Sequence, residues 1–329
     1  MTHATDLAPP QVTAPDTPRR RAWRRFRRNR PAMVSLVLLA LILLTCLATA
    51  PFSATRYQHQ DLDFNRQPPQ VDLEVSRSPW EVSGRFAPFG YDVLGRNLFW
   101  RCLFGGLVSL GIGVAAAAIS VFIGTSWGAL AGWYGGRIDN VMMRFVDVLY
   151  GLPYILIVIL LKIAFEPRLV AVFEGLFGPG QGHAANIVIL FVAIGGVSWL
   201  TMARVVRGQV LSLKAQPFME AARALGLPAR RILARHLLPN LVGPIIVYAT
   251  LTVPQAILQE SFLSFLGIGI QAPVPTWGSL AAEGVKAVNT VVSFWWMVLF
   301  PCALLGLTLL CLNFVGDGLR DAFDPKTTR

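Results

Sequence analysis

Six stretches of this chain are so apolar and so poor in charge that they restrict it to one solvent, the lipid bilayer. Met33 to Ala50 runs 18 residues without a charged side chain, which at about 1.5 Å per residue crosses most of a hydrocarbon core of roughly 30 Å. Leu103 to Trp133, Val141 to Ile163, Ile187 to Ala203, Leu241 to Leu266 and Val291 to Val315 follow as further runs of this kind. Lipid offers no hydrogen bonds to a backbone, so each run is expected to be a helix. Pro153 and Pro254 fall inside spans three and five; the apolar sequence continues past each, which predicts local kinks and not helix ends. The fold expected is an all-α integral membrane protein with six transmembrane helices.

Composition agrees, with one apparent contradiction. Of 329 residues, 54% are hydrophobic and 14% charged, against about 25% charged in soluble domains. Yet 29 Lys and Arg face 18 Asp and Glu, for a net charge of +11, which in a soluble protein suggests nucleic acid. The distribution gives the charge another meaning. With the N-terminus inside, twenty basic and seven acidic residues fall on the cytoplasmic side, nine and nine outside, and Asp147 and Glu260 within spans. By the positive-inside rule both termini are cytoplasmic, and the excess reports orientation. No nucleic-acid partner is implied.

The organisation that follows is a basic cytoplasmic tail at 1–32, the first span at 33–50, an outside loop at 51–102, a core at 103–316 that includes a cytoplasmic loop at 204–240, and a cytoplasmic tail at 317–329. The first 18 residues, rich in Pro, Thr and Ala, read as disordered. Arg19 to Arg30, interleaved with Trp23 and Phe26, immediately precedes a span and reads as a topology anchor on anionic membrane lipid. Ala48-Thr49-Ala50 resembles a signal-peptide cleavage site. Against cleavage, the run exceeds the roughly 7 to 15 residues of a signal core, and five spans follow it.

Few side chains invite chemistry. Cys46, Cys102, Cys302 and Cys311 show neither metal-ligand spacing nor a disulfide framework, and no metal site is expected. Asp147 lies three residues after Arg144 and is expected to pair with it. Glu260, near the outer end of its span, reads as interfacial. Two isolated acids do not make a proton path, which needs several linked groups. Ala116, Ser120, Gly124, Gly128, Gly132 and Gly136 recur every four residues, a smooth helical face suited to close packing against another helix.

The loop from Arg204 to Asn240 is the informative segment. Pro217 suits a first helical turn, Gly226 a helix stop, and Pro228 the start of a second short helix that must finish by Pro239. Phe218, Ala221, Ala222 and Leu225 fall on one face of the first helix, with Glu220 and Arg223 elsewhere. Small residues at its centre favour a snug protein groove over lipid.

Here the chain resembles a known family. Glu220-Ala221-Ala222, three residues, Gly226, nine residues and His236-Leu237-Leu238-Pro239 match the EAA motif of ABC importer permeases. Arg235 to Asn240 looks like the version in the peptide and nickel branch. So do Gly90 to Asn97, Gly132 to Gly136 with Asp139 and Arg144, Glu260 to Gly267, Trp277-Gly278 and Gly316 to Asp321. One departure is Tyr91 and Asn97, where the branch usually has Thr and Asp.

The resemblance implies a type I ABC importer permease in a bacterial inner membrane, with no catalytic residues of its own. Glu220, Ala221, Ala222, Gly226 and Pro239 would form a coupling helix that docks on an ATPase subunit. Ser120, Gly124, Gly128 and Gly132 are assigned to helix packing. Asp92, Gly95 and Arg96, before span two, and Trp277, beside the capping segment Gly267 to Gly278, are candidates for the outer mouth. The implied partners are a second permease subunit in a heterodimer, two ABC ATPases and an extracytoplasmic substrate-binding protein. No Gly-Lys dipeptide occurs, so no Walker A loop is present, and ATP and Mg would bind the partner ATPases. Peptides are the default cargo, with nickel or another small solute second. A stand-alone secondary carrier lacks mid-span ion ligands. An intramembrane hydrolase lacks a base, since His3, His59, His183 and His236 lie outside the spans, and Gly196-Val197-Ser198-Trp199 lacks the second glycine of a nucleophile elbow.

Overall fold

Apolar runs of this length become helices because only an intrahelical ladder satisfies the backbone in lipid. The computed structural model describes residues 18–71, 86–178, 182–288 and 292–323. The disordered reading of the N-terminal tail falls almost wholly outside these residues, as do His3, Val291 and part of the first outside loop. Helices α1 (Pro18–Arg28) and α2 (Arg30–Arg56) meet at Asn29, whose side chain accepts the Ala32 amide at 3.3 Å as an N-cap. After a 3₁₀ turn (Leu62–Phe64) and a short antiparallel pair, β1 (Gln70–Val71) and β2 (Phe86–Ala87), come α3 (Leu98–Tyr134), α4 (Gly136–Tyr150), α5 (Tyr154–Phe177) and α6 (Gly182–Lys214). Then follow α7 (Pro217–Ala224), α8 (Ala229–Ile232), α9 (Leu238–Phe265), α10 (Trp277–Ala287) and α11 (Trp295–Phe323).

Five helical stretches, Arg30–Arg56, Leu98–Tyr134, Ala184–Lys214, Ala229–Phe265 and Trp295–Phe323, are each long and apolar enough to cross a membrane. The expected third span is different. Pro153 does not merely kink it: α4 and α5 are separate helices at 91° across a three-residue break. Gly151 ends α4, and Pro153, with ψ of 117°, sits in an extended conformation as the cap of α5. The proline drives its predecessor out of the α region, and Gly151 weakens the helix just before it. Pro254, as expected, does not end its helix and remains inside a continuous α9. At the C-terminal end, α11 runs to Phe323, so residues 317–323 are helical.

The centre of the structure is the seam between α3 and α6, which run parallel. Ala116, Ser120, Gly124, Gly128 and Gly132 are buried along it. A Cβ on Gly124 would fall 2.6 Å from the Met202 Cβ, one on Gly132 would fall 2.8 Å from the Val210 Cβ, and one on Gly128 would run into the Ala203 carbonyl. Gly136 leaves the stripe, because α3 ends at Tyr134 and Gly136 opens α4. Ile112, Leu190, Ile194, Leu200 and Leu263 extend the core toward α9. Helix α1 is folded, burying Ala22 and Phe26 against Ala32, Val315 and Ala322.

Three charged side chains differ from expectation. Asp147 pairs with Arg204 of α6 at 2.8 Å, not with Arg144; tertiary packing brings α6 nearer than the next turn of α4. Glu260 is fully buried, not interfacial, and accepts hydrogen bonds from Ser264 at 2.7 Å and Thr276 at 2.8 Å. Lys162, near the end of the third apolar run and one of the nine basic residues assigned to the outside, is buried on α5 and donates to the carbonyls of Ile268 at 2.5 Å and Gly269 at 2.9 Å. Asp147 and Lys162 find their partners outside their own helices, on α6 and in the stretch that follows α9, whereas Glu260 is closed in by Ser264 of its own helix and by Thr276 at the start of α10.

Candidate functional site

Helix α9 is 28 residues long, about 42 Å at 1.5 Å per residue, so α7 and α10 lie toward opposite ends of the molecule.

At the α7 end, Pro217 occupies the first turn of α7, where its missing N–H is an orphan in any case. Gly226 terminates it with φ of +69°; its amide donates to the Arg223 carbonyl at 2.9 Å, and the Leu227 amide to that of Ala222 at 3.3 Å. A Cβ on Gly226 would meet nothing within 4 Å, so the constraint is the left-handed backbone alone. The apolar face expected of this helix is divided. Met219 and Ala222 are buried with Val206, Val210, Ile232, Leu237 and Leu241, whereas Phe218 is 40% and Leu225 78% exposed. Glu220, Ala221 and Gly226 are exposed beside them. Met219 is the residue missed by sequence reasoning; it lies one position after Phe218 and on the side turned toward α6.

The second short helix does not finish by Pro239. From Ala229 to Phe265 the chain is one helical stretch, through a π-helical segment at Leu233–Leu237. Proline interrupts an α-helix because it cannot donate to the carbonyl four residues back. Here the preceding turn is already widened, and Pro239 enters within the first turn of α9.

Two links tie this end together. Arg207 on α6 donates from Nε and Nη2 to the two carboxylate oxygens of Asp139 on α4, each at 2.6 Å. Lys214, the last residue of α6, donates to the carbonyls of Gly132 at 3.0 Å and Trp133 at 2.7 Å, occupying the open C-terminal end of α3. The helix that leads into α7 is thus bolted to both α3 and α4.

At the α10 end, Asp92 is fully buried and accepts from the amides of Leu94 at 2.8 Å and Arg96 at 2.9 Å, from Arg96 Nε at 2.6 Å and from Arg101 Nη1 at 2.5 Å. Glu283 of α10 completes the group, with Arg101 at 2.6 and 3.1 Å and Arg96 at 3.3 Å. Arg101 and Glu283 were not singled out in the sequence; an arginine at the mouth of a span was the available signal. Gly95 packs so closely that a Cβ there would collide with the Asp61 carbonyl. Trp277 is completely buried, its indole donating to the Cys102 carbonyl at 2.9 Å and its amide to Ser109 Oγ at 3.1 Å. Asp92, Gly95, Arg96 and Trp277 are therefore brought together as a packed seam among the α3 start, α9 and α10. Asn97, one of the two departures, caps α3 by accepting the Phe99 amide at 3.0 Å, a task Asn and Asp perform about equally well.

Comparison with known proteins shows which family the chain belongs to. Residues 124–329 match the family described as binding-protein-dependent transport system inner membrane component. Residues 17–69 match the N-terminal TM domain of oligopeptide transport permease C. The chain is 44% identical over 305 residues to the oligopeptide transport system permease protein OppC of Escherichia coli, covering 93% of this chain and 90% of that one. It is 43% identical over 309 residues to the dipeptide transport system permease protein DppC of Bacillus subtilis, covering 94% and 86%. Among solved structures, a chain of the MetNI methionine ABC transporter in inward facing conformations aligns with a TM-score of 0.51 at 20% identity, covering 68% of this chain and 97% of that one.

The chain accordingly belongs to the inner membrane components of binding-protein-dependent transport systems. It is an ABC importer permease subunit, a multi-pass protein of the bacterial inner membrane and not an enzyme, since ATP hydrolysis belongs to a separate subunit.

Proposed function

We propose that this permease forms half of a translocation pathway for peptides, in a heterodimer with a second permease, and that α7 is its docking element for an ATPase. The observation that carries the ATPase assignment is the divided face of α7: Met219 and Ala222 seat the helix on α6 and α9, while Phe218, Ala221 and Leu225 leave an apolar strip uncovered. Such a strip at the tip of a rigid unit suits a groove on a partner. Peptide cargo is supported by the names of the relatives at 43% and 44% identity.

In this reading α4 and α5 together make a broken third span, giving six spans with both termini cytoplasmic. The α7 end then faces the ATPases, which bind ATP and Mg, and the α10 end faces the extracytoplasmic binding protein. Nucleotide-driven movement of α7 passes to α6, and through Arg207 and Lys214 to α4 and α3. Each nucleotide state must favour a different permease arrangement by differential contacts, or the cycle moves nothing. Pro239 contributes by setting how α9 rises from this unit.

Reconstitution tests the proposal. The chain, the second permease, two ATPases and the binding protein should import a tripeptide in an ATP-dependent manner. Replacing Phe218 and Leu225 with Ser should release the ATPases while the permease pair stays assembled. Activity of this chain alone in liposomes, or ATPase retention by the Ser variant, would overturn the reading.

A further inference from the structure

A cleft of about 450 Å³ opens between the α4–α5 corner, α6 and α9, and its chemistry is unusual for a surface at membrane depth. Hydrogen-bonding side chains reach it from every side: Tyr154 from α5, Ser198 and Thr201 from α6, and Thr252, Gln255 and Gln259 from α9. None of its lining residues carries a charge. Tyr150 and Tyr248 add two further phenols, and the rest of the lining, including Leu149, Val197 and Leu251, is apolar.

Gln255 decides what the cleft faces. It lies ten residues before the end of α9 at Phe265, about 15 Å along the axis, and is therefore at bilayer depth. Its side chain is exposed and makes no hydrogen bond among the described residues. A primary amide turned to hydrocarbon without a partner is strongly unfavourable. Thr201, across the cleft, is exposed as well. By contrast α2 exposes Val34, Val37, Leu41, Leu44 and Leu47, and the exposed Thr45 among them returns its hydroxyl to the Leu41 carbonyl at 2.8 Å. The two surfaces are built for different solvents.

We infer that this cleft is the solute-contacting wall of the pathway, and that it holds peptides through their main-chain amides. Gln255 offers both a donor and an acceptor, matching the peptide group, and Gln259 offers its donor. Tyr154 already donates to Gln259 Oε1 at 2.6 Å, which fixes that amide and leaves its NH₂ to point elsewhere. An uncharged wall does not discriminate by the charge of a cargo side chain, and its apolar patches accept side chains of varied shape. This inference rests on the peptide-importer reading and sharpens it.

Cysteine accessibility in the reconstituted complex tests it. Cys46, Cys102 and Cys311 are buried and Cys302 exposed, so Cys302→Ala provides the parent. Gln255→Cys and Thr201→Cys should react with a cationic, membrane-impermeant thiosulfonate in at least one nucleotide state, and trialanine delivered by the binding protein should slow the reaction several-fold. Leu41→Cys should resist the reagent. Resistance like that of Leu41→Cys, or labelling indifferent to trialanine, overturns the assignment; if Gln255→Cys does not assemble, Thr201→Cys carries the test alone. In addition, Gln255→Glu should raise the import ratio of Ala-Ala-Lys to Ala-Ala-Asp at least fivefold over the parent, and an unchanged ratio counts against the cleft. A parent that imports no peptide refutes the peptide-importer reading instead, so the two failures are separable.

Discussion

Arg207 holds Asp139 through two parallel hydrogen bonds of 2.6 Å, a fork on a carboxylate that joins the α6 helix to the start of α4. Only a guanidinium supplies that geometry. The pair stands seven residues before the end of α6 at Lys214 and ten before Pro217, which opens α7. The contact therefore ties to α4 the same helix that leads into α7.

Arg207→Lys keeps the charge and loses the fork. Substrate-stimulated ATP hydrolysis by the full complex should fall several-fold, and exchanging the two residues, Asp139→Arg with Arg207→Asp, should recover part of it. Full stimulation in Arg207→Ala would show that force does not pass through this contact.

Gly226→Val places a β-branched residue at φ of +69°. The strain is about 1–3 kcal/mol, and because the position is open to solvent, the chain should relieve it by re-angling α7 and not by unfolding. Expected are an assembled permease with a near-normal melting temperature and lost stimulation of ATP hydrolysis. A parallel Gly226→Asn variant, whose side chain tolerates this backbone, should retain much more stimulation.

On the α3–α6 seam, Gly128→Leu drives a side chain into the Ala203 carbonyl and Val206. Backbone cannot yield as a side chain does, so destabilisation should reach or exceed the roughly 1–3 kcal/mol of ordinary overpacking. Thermal unfolding of detergent-purified protein measures it; Gly111→Leu, where a Cβ meets nothing within 4 Å, is the control and should melt close to wild type.

Asp92→Ala removes the carboxylate shared by Arg96 and Arg101, both of which are buried. Leaving two buried cations with only the partly exposed Glu283 to balance them is expected to destabilise toward the roughly 3–5 kcal/mol of a broken buried pair. Glu283→Ala should do less, because Glu283 is partly exposed and water can replace it. Equal losses for the two would contradict the burial argument.

How much of this was legible beforehand depends on whether a feature is local. The apolar runs, the stop at Gly226 and the small-residue stripe are written in periodicity and spacing, since each depends on which residues are three, four or twenty positions apart. Pro153 and Pro254 look alike in that respect, yet one breaks a span at 91° and the other does not. The neighbouring Gly151 and the packing around α9 separate them, and the second of these is not local.

Sequence by itself determined that the chain lives in a bilayer, how its charges are distributed between loops and spans, and that residues 204–240 resemble an EAA loop, because hydropathy, charge and spacing are properties of consecutive residues. Only the tertiary structure decided that Glu260 is enclosed, that Asp147 answers to Arg204 and not Arg144, that Met219 and not Phe218 anchors α7, and that Gln255 opens into a polar cleft. Those outcomes depend on which helix stands opposite. The physical reason is that burial and partnership of a side chain are set by whatever the fold brings beside it, from 4 residues away for Ser264 and Glu260 to 57 for Arg204 and Asp147 and 105 for Tyr154 and Gln259.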